Sequence, residues 1–222
     1  RNGSHYKNGV REGGVFSPIA IDRIELIKGT NAASYGATEP TGLRNVVTKA
    51  GGPTPKQSLR FTLGTDNFYR VAVDVDQPLI KDRLYSRWAA SYENSEQYSY
   101  DFARFWRAVA YNSLTWKIGP QTVLTTRTEY FKARQHNLAF VNLPYVLAPF
   151  THNGQTVQQA VGMFGLGEWE RFSHINLAGP VPYNQVRYWQ STGTLSHRFS
   201  DWLSLRVLGS HWERRQNRYS SN

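Results

Sequence analysis

The sequence predicts an all-β fold, namely part of a transmembrane antiparallel β-barrel that follows a small globular segment. Three observations lead to this prediction. Beyond residue 55, apolar and polar residues alternate over stretches longer than the ~5–6 residues of most strands in soluble sheets. The connections between these stretches are short on one side and long on the other. Mean hydropathy is −0.55 although 14% of the residues are aromatic, and no apolar run approaches the ~20 residues of a membrane helix.

Seven stretches carry the alternation and are predicted strands. In the second of them, Val71, Val73 and Val75 share one face, and Asp74 and Asp76 share the other. The predicted strands lie near residues 57–65, 68–78, 83–94, 104–118, 122–134, 185–198 and 202–214. These would be about seven strands of a larger barrel.

The connections separate a membrane barrel from a soluble sandwich, since alternation alone fits both. Short turns are predicted at Ile80–Asp82, Gly119–Gln121 and Ser200–Asp201, all on one rim. The other rim would carry a tight turn at Asp66-Asn67, a loop at 95–102, and a segment of about fifty residues at 135–184. A loop of that length is unusual in a compact soluble domain, whereas outer-membrane barrels have long external loops.

Residues 1–52 have a different pattern. Two short apolar-polar stretches, 21–27 and 43–48, flank a glycine-punctuated segment, which predicts two strands joined by a hairpin-like connection. Pro53-Thr54-Pro55 then marks a boundary, because prolines are excluded from the interior of paired strands.

The stretch from Ile21 to Gly52, IDRIELIKGTNAASYGATEPTGLRNVVTKAGG, resembles the end of the plug domain in TonB-dependent outer-membrane receptors. Residues that match the family's motif are Arg23, Glu25, Lys28, Gly29, Tyr35, Gly36, Gly42, Asn45, Thr48 and Lys49. Departures from the motif are Thr30, Thr41 and Arg44. The stretch VAVDVDQPLIKDRLYSRWAASYENSEQY is similar to the family's early barrel, and the order of elements looks most like receptors of the ferrichrome type.

The resemblance implies a division into 1–52, the C-terminal part of the plug, and 53–222, the N-terminal part of the barrel. It further implies an outer-membrane receptor, seen here as a fragment, that imports a scarce nutrient by energy-coupled plug movement. A ferric siderophore is the expected ligand, and the expected partners are outer-membrane lipid and TonB, the latter through a segment missing from this chain. The alternatives are a passive porin-like channel, TonB-dependent uptake of a glycan or cobalamin, and a soluble β-sandwich that binds carbohydrate.

Composition and motifs point away from several other functions. The 26 basic residues exceed the 16 acidic ones, giving a net charge of +10, but they are scattered, so no nucleic-acid partner is expected. The six histidines lack a metal-ligand spacing and there is no cysteine. No nucleophile or acid–base motif is present. The chain is therefore expected to be no enzyme and to hold neither a cofactor nor a metal.

Ligand contacts are expected from loop aromatics and from one plug arginine, because aromatics and arginine offer large, rigid contact area. The candidate ligand-binding residues are Arg11, Phe16, Tyr145, Phe150, Trp169, Phe172 and Tyr183. Within the plug motif, the resemblance favours Arg23, Glu25, Lys28 and Lys49 as ion pairs between plug and barrel. Trp88, Tyr92, Trp116 and Trp202 are predicted to form interfacial aromatic girdles.

Overall fold

The computed structural model describes residues 4–11, 17–27, 42–96, 103–136, 145–152, 155–162 and 183–219. They form a large antiparallel sheet, here named the wall, a smaller four-stranded sheet, here named the small sheet, and one separate hairpin. No helix long and apolar enough to cross a membrane occurs among these residues.

The wall has seven strands, and each pairs antiparallel with its neighbour. In spatial order they are β13 (Ser204–Tyr219), β12 (Tyr183–Arg198), β9 (Thr122–His136), β8 (Arg104–Gly119), β7 (Leu84–Glu96), β6 (Tyr69–Ile80) and β5 (Lys56–Leu63). All seven predicted strands are confirmed, with boundaries that mostly differ by one or two residues. The largest difference is at the end of β13, which reaches Tyr219 rather than residue 214.

The two faces of the wall differ in polarity, as the period-two pattern requires. The inner face, defined as the one that contacts the small sheet, carries buried polar and small residues such as Asp76, Ser113 and Glu129. The opposite, outer face exposes large apolar side chains. Among these are three of the four predicted girdle aromatics, Trp88, Tyr92 and Trp116, which are 40–60% exposed, whereas Trp202, 84% exposed, lies in the turn between β12 and β13. A sheet with an apolar outer face and a polar inner face is typical of barrel strands that contact lipid.

The wall does not close on itself. Strands β5 and β13 each have a single neighbour in the sheet and are exposed along nearly their whole length. Their outward backbone groups would each need a further strand to complete a barrel. The short turns predicted at one rim are present after β6, β8 and β12.

The small sheet combines β1 (Ser4–Lys7), β2 (Val10–Arg11), β3 (Ile21–Ile27) and β4 (Leu43–Thr48) in the order β2-β1-β4-β3. Strands β3 and β4 pair antiparallel as predicted, and β1 pairs parallel with β4. The glycine-rich connection predicted between β3 and β4 lies outside the described residues. A single turn of 3₁₀ helix, Pro18–Ala20, precedes β3.

The β1–β2 hairpin was not predicted, although its turn has a recognisable sequence. Asn8 and Gly9 both have positive φ, at 53° and 85°, and Lys7 pairs with Val10 across them. Two central residues with positive φ define the type I′ hairpin turn, for which Asn-Gly is the favoured dipeptide. The turn places Asn8 and Gly9 between the small sheet and the wall.

A second unpredicted hairpin lies within the segment expected to be one long loop. Strand β10 (Tyr145–His152) pairs antiparallel with β11 (Gln155–Gly162). It forms a two-stranded sheet of its own and does not join the wall.

Candidate functional site: the interface between the small sheet and the wall

The chain that follows the small sheet approaches the wall at backbone distance. A Cβ added to Gly51 would lie 2.9 Å from the backbone nitrogen of Ser86 and from the carbonyl carbon of Tyr85, both in β7. Only glycine accommodates such a contact without a shift. Nearby, Ile19 and Ala20 of the 3₁₀ turn form an apolar cluster with Ala89, Val109 and Tyr111 of the wall.

A buried ion pair, here named the Lys7 bridge, joins the small sheet to the wall within this interface. Lys7 Nζ lies 2.5 Å from Glu129 Oε2, and each side chain is 3% exposed. The Ser17 hydroxyl donates a hydrogen bond to the other Glu129 oxygen, and Lys7 Nζ lies 5.4 Å from the Tyr188 ring centroid. Glu129 therefore has two partners, Lys7 of the small sheet and Ser17 just before the 3₁₀ turn, and together they offset the cost of burying its charge.

A second ion pair, here named the Lys49 bridge, lies closer to the wall's β5 edge and is less buried. Lys49 Nζ lies 2.6 Å from Asp74 Oδ2. Asp74 is shared, because Arg87 also donates to both of its oxygens, at 2.8 and 2.9 Å. The adjacent Asp76 accepts the backbone N–H of Gly52 at 2.9 Å and lies 3.5 Å from Arg87.

Neutral hydrogen bonds connect the β1–β2 turn, the end of β4 and the wall. Asn8 donates to the Thr48 hydroxyl and accepts the Thr48 backbone N–H, both at 2.9 Å. From the wall, the Tyr111 hydroxyl donates to the Lys49 carbonyl and lies 3.1 Å from Thr48 Oγ1. The Asn45 side chain accepts the Gly9 N–H at 3.0 Å. A sequence analysis could not have found these partners, since most are more than 35 residues apart.

Beside these contacts lies an open cavity of about 960 Å³. The small sheet contributes Asp22, Arg23, Glu25 and Asn45 to its lining. The wall contributes Arg87, Arg127 and Arg206. The cavity is therefore polar, and its wall side is basic.

The structure brings part of the predicted plug motif together. Gly42, at φ 101°, precedes β4 in a conformation that favours glycine. Asn45 is buried within β4, and Lys49 follows this strand. Lys28, Gly29, Tyr35 and Gly36 lie outside the described residues. Of the motif's four charged residues, Lys49 has the ion pair with the wall that was expected.

The expectation that Arg23 and Glu25 pair with the barrel is corrected. Arg23 contacts Glu25 at 2.9 Å and Asp22 at 3.2 Å, all within β3, because β3 is the edge strand of the small sheet and this part of it is exposed. Asn45 donates to Glu25 at 2.8 Å. That hydrogen bond, with the guanidinium, holds the pKa of Glu25 below its usual value, and the pKa of Arg23 is raised mainly by its hydrogen bond to Glu25.

The predicted ligand-binding residues are not gathered into one site by the described part of the chain. Arg11 is exposed in β2, opposite Tyr6 of β1. Tyr145 and Phe150 lie in the β10–β11 hairpin, opposite Gly162 and Val157. Phe16, Trp169 and Phe172 lie outside the described residues. Tyr183 begins β12 on the outer face of the wall, where it stacks on Tyr219 with ring centroids 6.0 Å apart.

The open antiparallel wall has a lipid-type outer face and carries a small mixed sheet on its inner face, an arrangement typical of plugged outer-membrane barrels. No protein-family model matches the chain. The metal-pseudopaline receptor CntO of Pseudomonas aeruginosa PAO1 is 29% identical over 195 residues, which are 87% of this chain and 24% of that receptor. The ferrichrome outer membrane transporter/phage receptor of Escherichia coli K12 is 28% identical over 131 residues, 55% of this chain and 17% of the transporter.

The fold agrees with that of a solved receptor. The open form of the ferric-catecholate import receptor Fiu from E. coli K12 has a TM-score of 0.74 at 21% identity, covering 97% of this chain and 32% of Fiu. The fold class is thereby confirmed, as are the resemblance to TonB-dependent outer-membrane receptors and the outer-membrane location. The chain spans less than a quarter of the length of the curated relatives given above. These relatives are receptors and transporters.

Proposed function

We propose that the complete protein is a TonB-dependent outer-membrane transporter that imports a ferric siderophore and has no enzymatic activity. The small sheet, with residues 1–52, would be part of its plug, and residues 53–222 part of its barrel. The observation that carries the proposal is the small sheet's attachment to the inner face of the wall through the Lys7 and Lys49 bridges. Relatives named as receptors for a metal-pseudopaline complex and for ferrichrome support the ligand class.

The attachment suits an element that must hold firmly and still be released. Its contacts are mainly polar groups that water can solvate once they separate, and its apolar part is one small cluster around Ala20. A polar interface can exchange its partners for water at a lower net cost than a large apolar one, because each hydrogen bond contributes only about 1 kcal/mol net. Force from TonB would break these contacts, and ligand binding at the external face would be linked to that step.

Ligand contacts are proposed for Arg11, for Phe16 and for the four other candidate aromatic residues that are not on the outer face of the wall, namely Tyr145, Phe150, Trp169 and Phe172. Arg11 is exposed on the β1–β2 hairpin, the part of the small sheet that is anchored through Asn8. An arginine there would pair with the negative charge that ferric chelates commonly carry. Any ligand-induced change at this hairpin would reach the Lys7 bridge directly, because Lys7 is the last residue of β1.

The test is equilibrium binding of the complete receptor, purified in detergent, to a panel of ferric siderophores, cobalamin and oligosaccharides, followed by tryptophan quenching. Submicromolar binding of one ferric siderophore is expected, with uptake by cells that stops when TonB is absent. Arg11→Gln should weaken that binding, and Arg83→Gln, which is exposed in the short turn after β6, is the control. Binding of a glycan or cobalamin alone would overturn the ligand class, and conductance without an energy source would favour a passive channel.

A further inference from the structure

The polar cavity between the small sheet and the wall is lined by two arginines without an acidic partner. These residues, Arg127 of β9 and Arg206 of β13, are here named the cavity arginines. Within the part of the chain that the structure describes, neither forms an ion pair with a carboxylate. Arg127 Nε is also buried without a hydrogen-bond partner. Two cations in one cavity repel each other, so an anion between them would be favourable.

The carboxylates of the cavity are engaged by other groups. Asp22 and Glu25 of β3 contribute to its lining on the side of the small sheet. Arg23 contacts them at 3.2 and 2.9 Å, and Asn45 donates a further hydrogen bond to Glu25. The third arginine of the wall that lines the cavity, Arg87, pairs with two aspartates of β6. Among the described residues, the charge of the cavity arginines is therefore left without compensation.

The strand register places one threonine midway between the cavity arginines. On β12, Thr192 is directly opposite Arg127, and Ser196 is directly opposite Arg206. Thr194 lies between these two positions on the same face of the strand. The backbone of each arginine is therefore about 7 Å away from Thr194 along the strands and about 5 Å away across them. Long arginine side chains can span such distances, so both guanidinium groups can reach the space above Thr194.

Thr194 itself has a hydroxyl group without a partner. The residue is 7% exposed, and its Oγ1 is buried without a hydrogen bond among the described residues. Leu208, which is directly opposite on β13, lines the cavity, so Thr194 lies at the cavity floor. A buried hydroxyl without a hydrogen bond is destabilising and indicates a partner that the protein does not supply. Rotation about the Cα–Cβ bond to another staggered position would turn this hydroxyl toward the cavity.

Two guanidinium groups and one hydroxyl group are suited to a tetrahedral oxyanion. The planar guanidinium presents its donors as a fork that binds two oxygens of a phosphate group at once, and the hydroxyl can donate to a further oxygen. A chloride ion has a single centre and cannot use the fork in this way. On the side of the small sheet, Asn8, Gly9 and Thr48 line the cavity. The attached small sheet would therefore cover an anion bound there.

We propose that Arg127, Arg206 and Thr194 bind a small inorganic oxyanion, such as phosphate, in the cavity between the small sheet and the wall. The anion neutralises the repulsion between the cavity arginines and links strands β9, β12 and β13. Because the small sheet covers the cavity, a bound anion stabilises the attachment of the small sheet to the wall by linkage. The site does not depend on which ligand the receptor imports.

The experiment measures binding of radiolabelled phosphate to the complete receptor, purified in detergent and phosphate-free buffer, by equilibrium dialysis. Saturable binding is expected. Arg127→Gln and Arg206→Gln should each weaken it at least roughly tenfold, because each removes hydrogen bonds to a charged group. Thr194→Val should weaken it roughly tenfold for the same reason. Without phosphate, Thr194→Val should unfold no more easily than the unmodified receptor, since it removes an unsatisfied hydroxyl.

Matched controls separate this site from other hydroxyls and other arginines. Thr115 Oγ1 is also buried without a partner, but it lies on β8, on the far side of β9 from Thr194. Arg107 is an inner-face arginine that is already paired with Glu93. Thr115→Val and Arg107→Gln should bind phosphate like the unmodified receptor. Arg11→Gln should do so as well, which distinguishes this site from the proposed contact with the imported ligand.

A second readout is the release of the small sheet from the wall, followed in urea by limited trypsin cleavage. At a phosphate concentration about ten times the Kd, the equilibrium constant for release should fall about elevenfold in the unmodified receptor and about twofold in Thr194→Val. Thr194→Val also keeps the proposal testable if an arginine variant does not fold. Absence of saturable binding, an equal loss in Thr115→Val, equal competition by sulfate and chloride, or release that is insensitive to phosphate would each overturn the proposal.

Discussion

Two lysines join the small sheet to the wall, and their surroundings differ. Lys7 and Glu129 are both 3% exposed, and Glu129 has no second cation among the ion pairs of the described residues. Lys49 and Asp74 are 20% and 12% exposed, and Asp74 has Arg87 as a second partner. The difference lies in what remains when one partner leaves: a buried carboxylate with only the Ser17 hydroxyl in one case, and an intact Arg87–Asp74 pair in the other.

From this comparison we expect the loss of Lys7 to cost more than the loss of Lys49. A buried pair is costly to break from one side although its net contribution is small, whereas a partly exposed and shared pair tolerates the loss of one partner. The predictions below use the free energy of releasing the small sheet from the wall in the complete receptor. It would be measured by urea titration, with limited trypsin cleavage of the small sheet as readout.

The largest effect is expected from Lys7→Met. It leaves Glu129 buried without its cation, which costs about 3–5 kcal/mol. The double variant Lys7→Met/Glu129→Gln should recover a large part of the loss, because the unpaired charge is then removed. A double variant as unstable as the single one would show that Lys7 acts by packing rather than by charge.

Gly51→Ala should have the next largest effect. We expect the free energy of release to fall by about 1–3 kcal/mol, because the added methyl group overpacks against the backbone of β7. Gly52→Ala is the matched control, since its added Cβ would meet Asp76 Oδ2 at an ordinary 3.6 Å. Equal effects at the two positions would contradict the close approach of Gly51 to the wall.

Lys49→Met tests the other side of the comparison. Because Asp74 keeps both hydrogen bonds from Arg87, the expected loss is about 1 kcal/mol. Arg87→Met in the Lys49→Met background should add a larger loss, since Asp74 would then have neither cation. A loss for Lys49→Met as large as that for Lys7→Met would remove the distinction between the two bridges.

The smallest effect concerns Glu25, whose pKa is lowered by its hydrogen bond from Asn45 and its contact with Arg23. A lowered pKa in the folded state adds stability that is complete above about pH 4.3, the usual glutamate value, and is lost as pH falls through the folded pKa. The Glu25→Gln variant should lack this pH-dependent contribution to stability. Because Arg23, Glu25 and Asn45 all belong to the small sheet, this contribution is lost when the small sheet itself unfolds in urea, not when it is released intact. The unfolding curves of the unmodified protein and of Glu25→Gln, measured from neutral to acidic pH, should therefore converge slightly on acidification, and a gap that widens would contradict the sign.

Much of the wall was predictable from sequence, and the reasons are local. Strands such as β6 and β7 largely alternate in polarity, as expected where lipid and lumen lie on opposite faces, so their pattern indicates both extent and orientation. The Asn8-Gly9 turn was also predictable, because Asn-Gly is the favoured dipeptide of a two-residue hairpin turn. Asn153-Gly154 stands between β10 and β11 and offered the same signal. Neither hairpin is predicted above, because each Asn-Gly pair lies within a glycine-rich or loop-like stretch whose composition indicates a loop.

The partners across the interface were not predictable. Lys7 and Glu129 are 122 residues apart, and nothing in the sequence around either residue indicates that the other is its partner. The wrong expectation for Arg23 and Glu25 has the same origin. A charged residue in the motif indicates a partner, but only the sheet order, with β3 at the edge, shows that the partner is within the same strand.

The central claim is that the small sheet must leave the wall for transport. Ala20→Cys/Ala89→Cys, at two positions of one buried cluster, can join the 3₁₀ turn before β3 to the wall. These 222 residues contain no cysteine, and any cysteine elsewhere in the complete receptor would be replaced first. Uptake of the ferric siderophore should stop when this pair is linked by oxidation or by a short thiol cross-linker, while ligand binding persists. Uptake should return on reduction of the disulfide, and each single cysteine should transport normally. Full uptake by a quantitatively linked receptor would contradict the account.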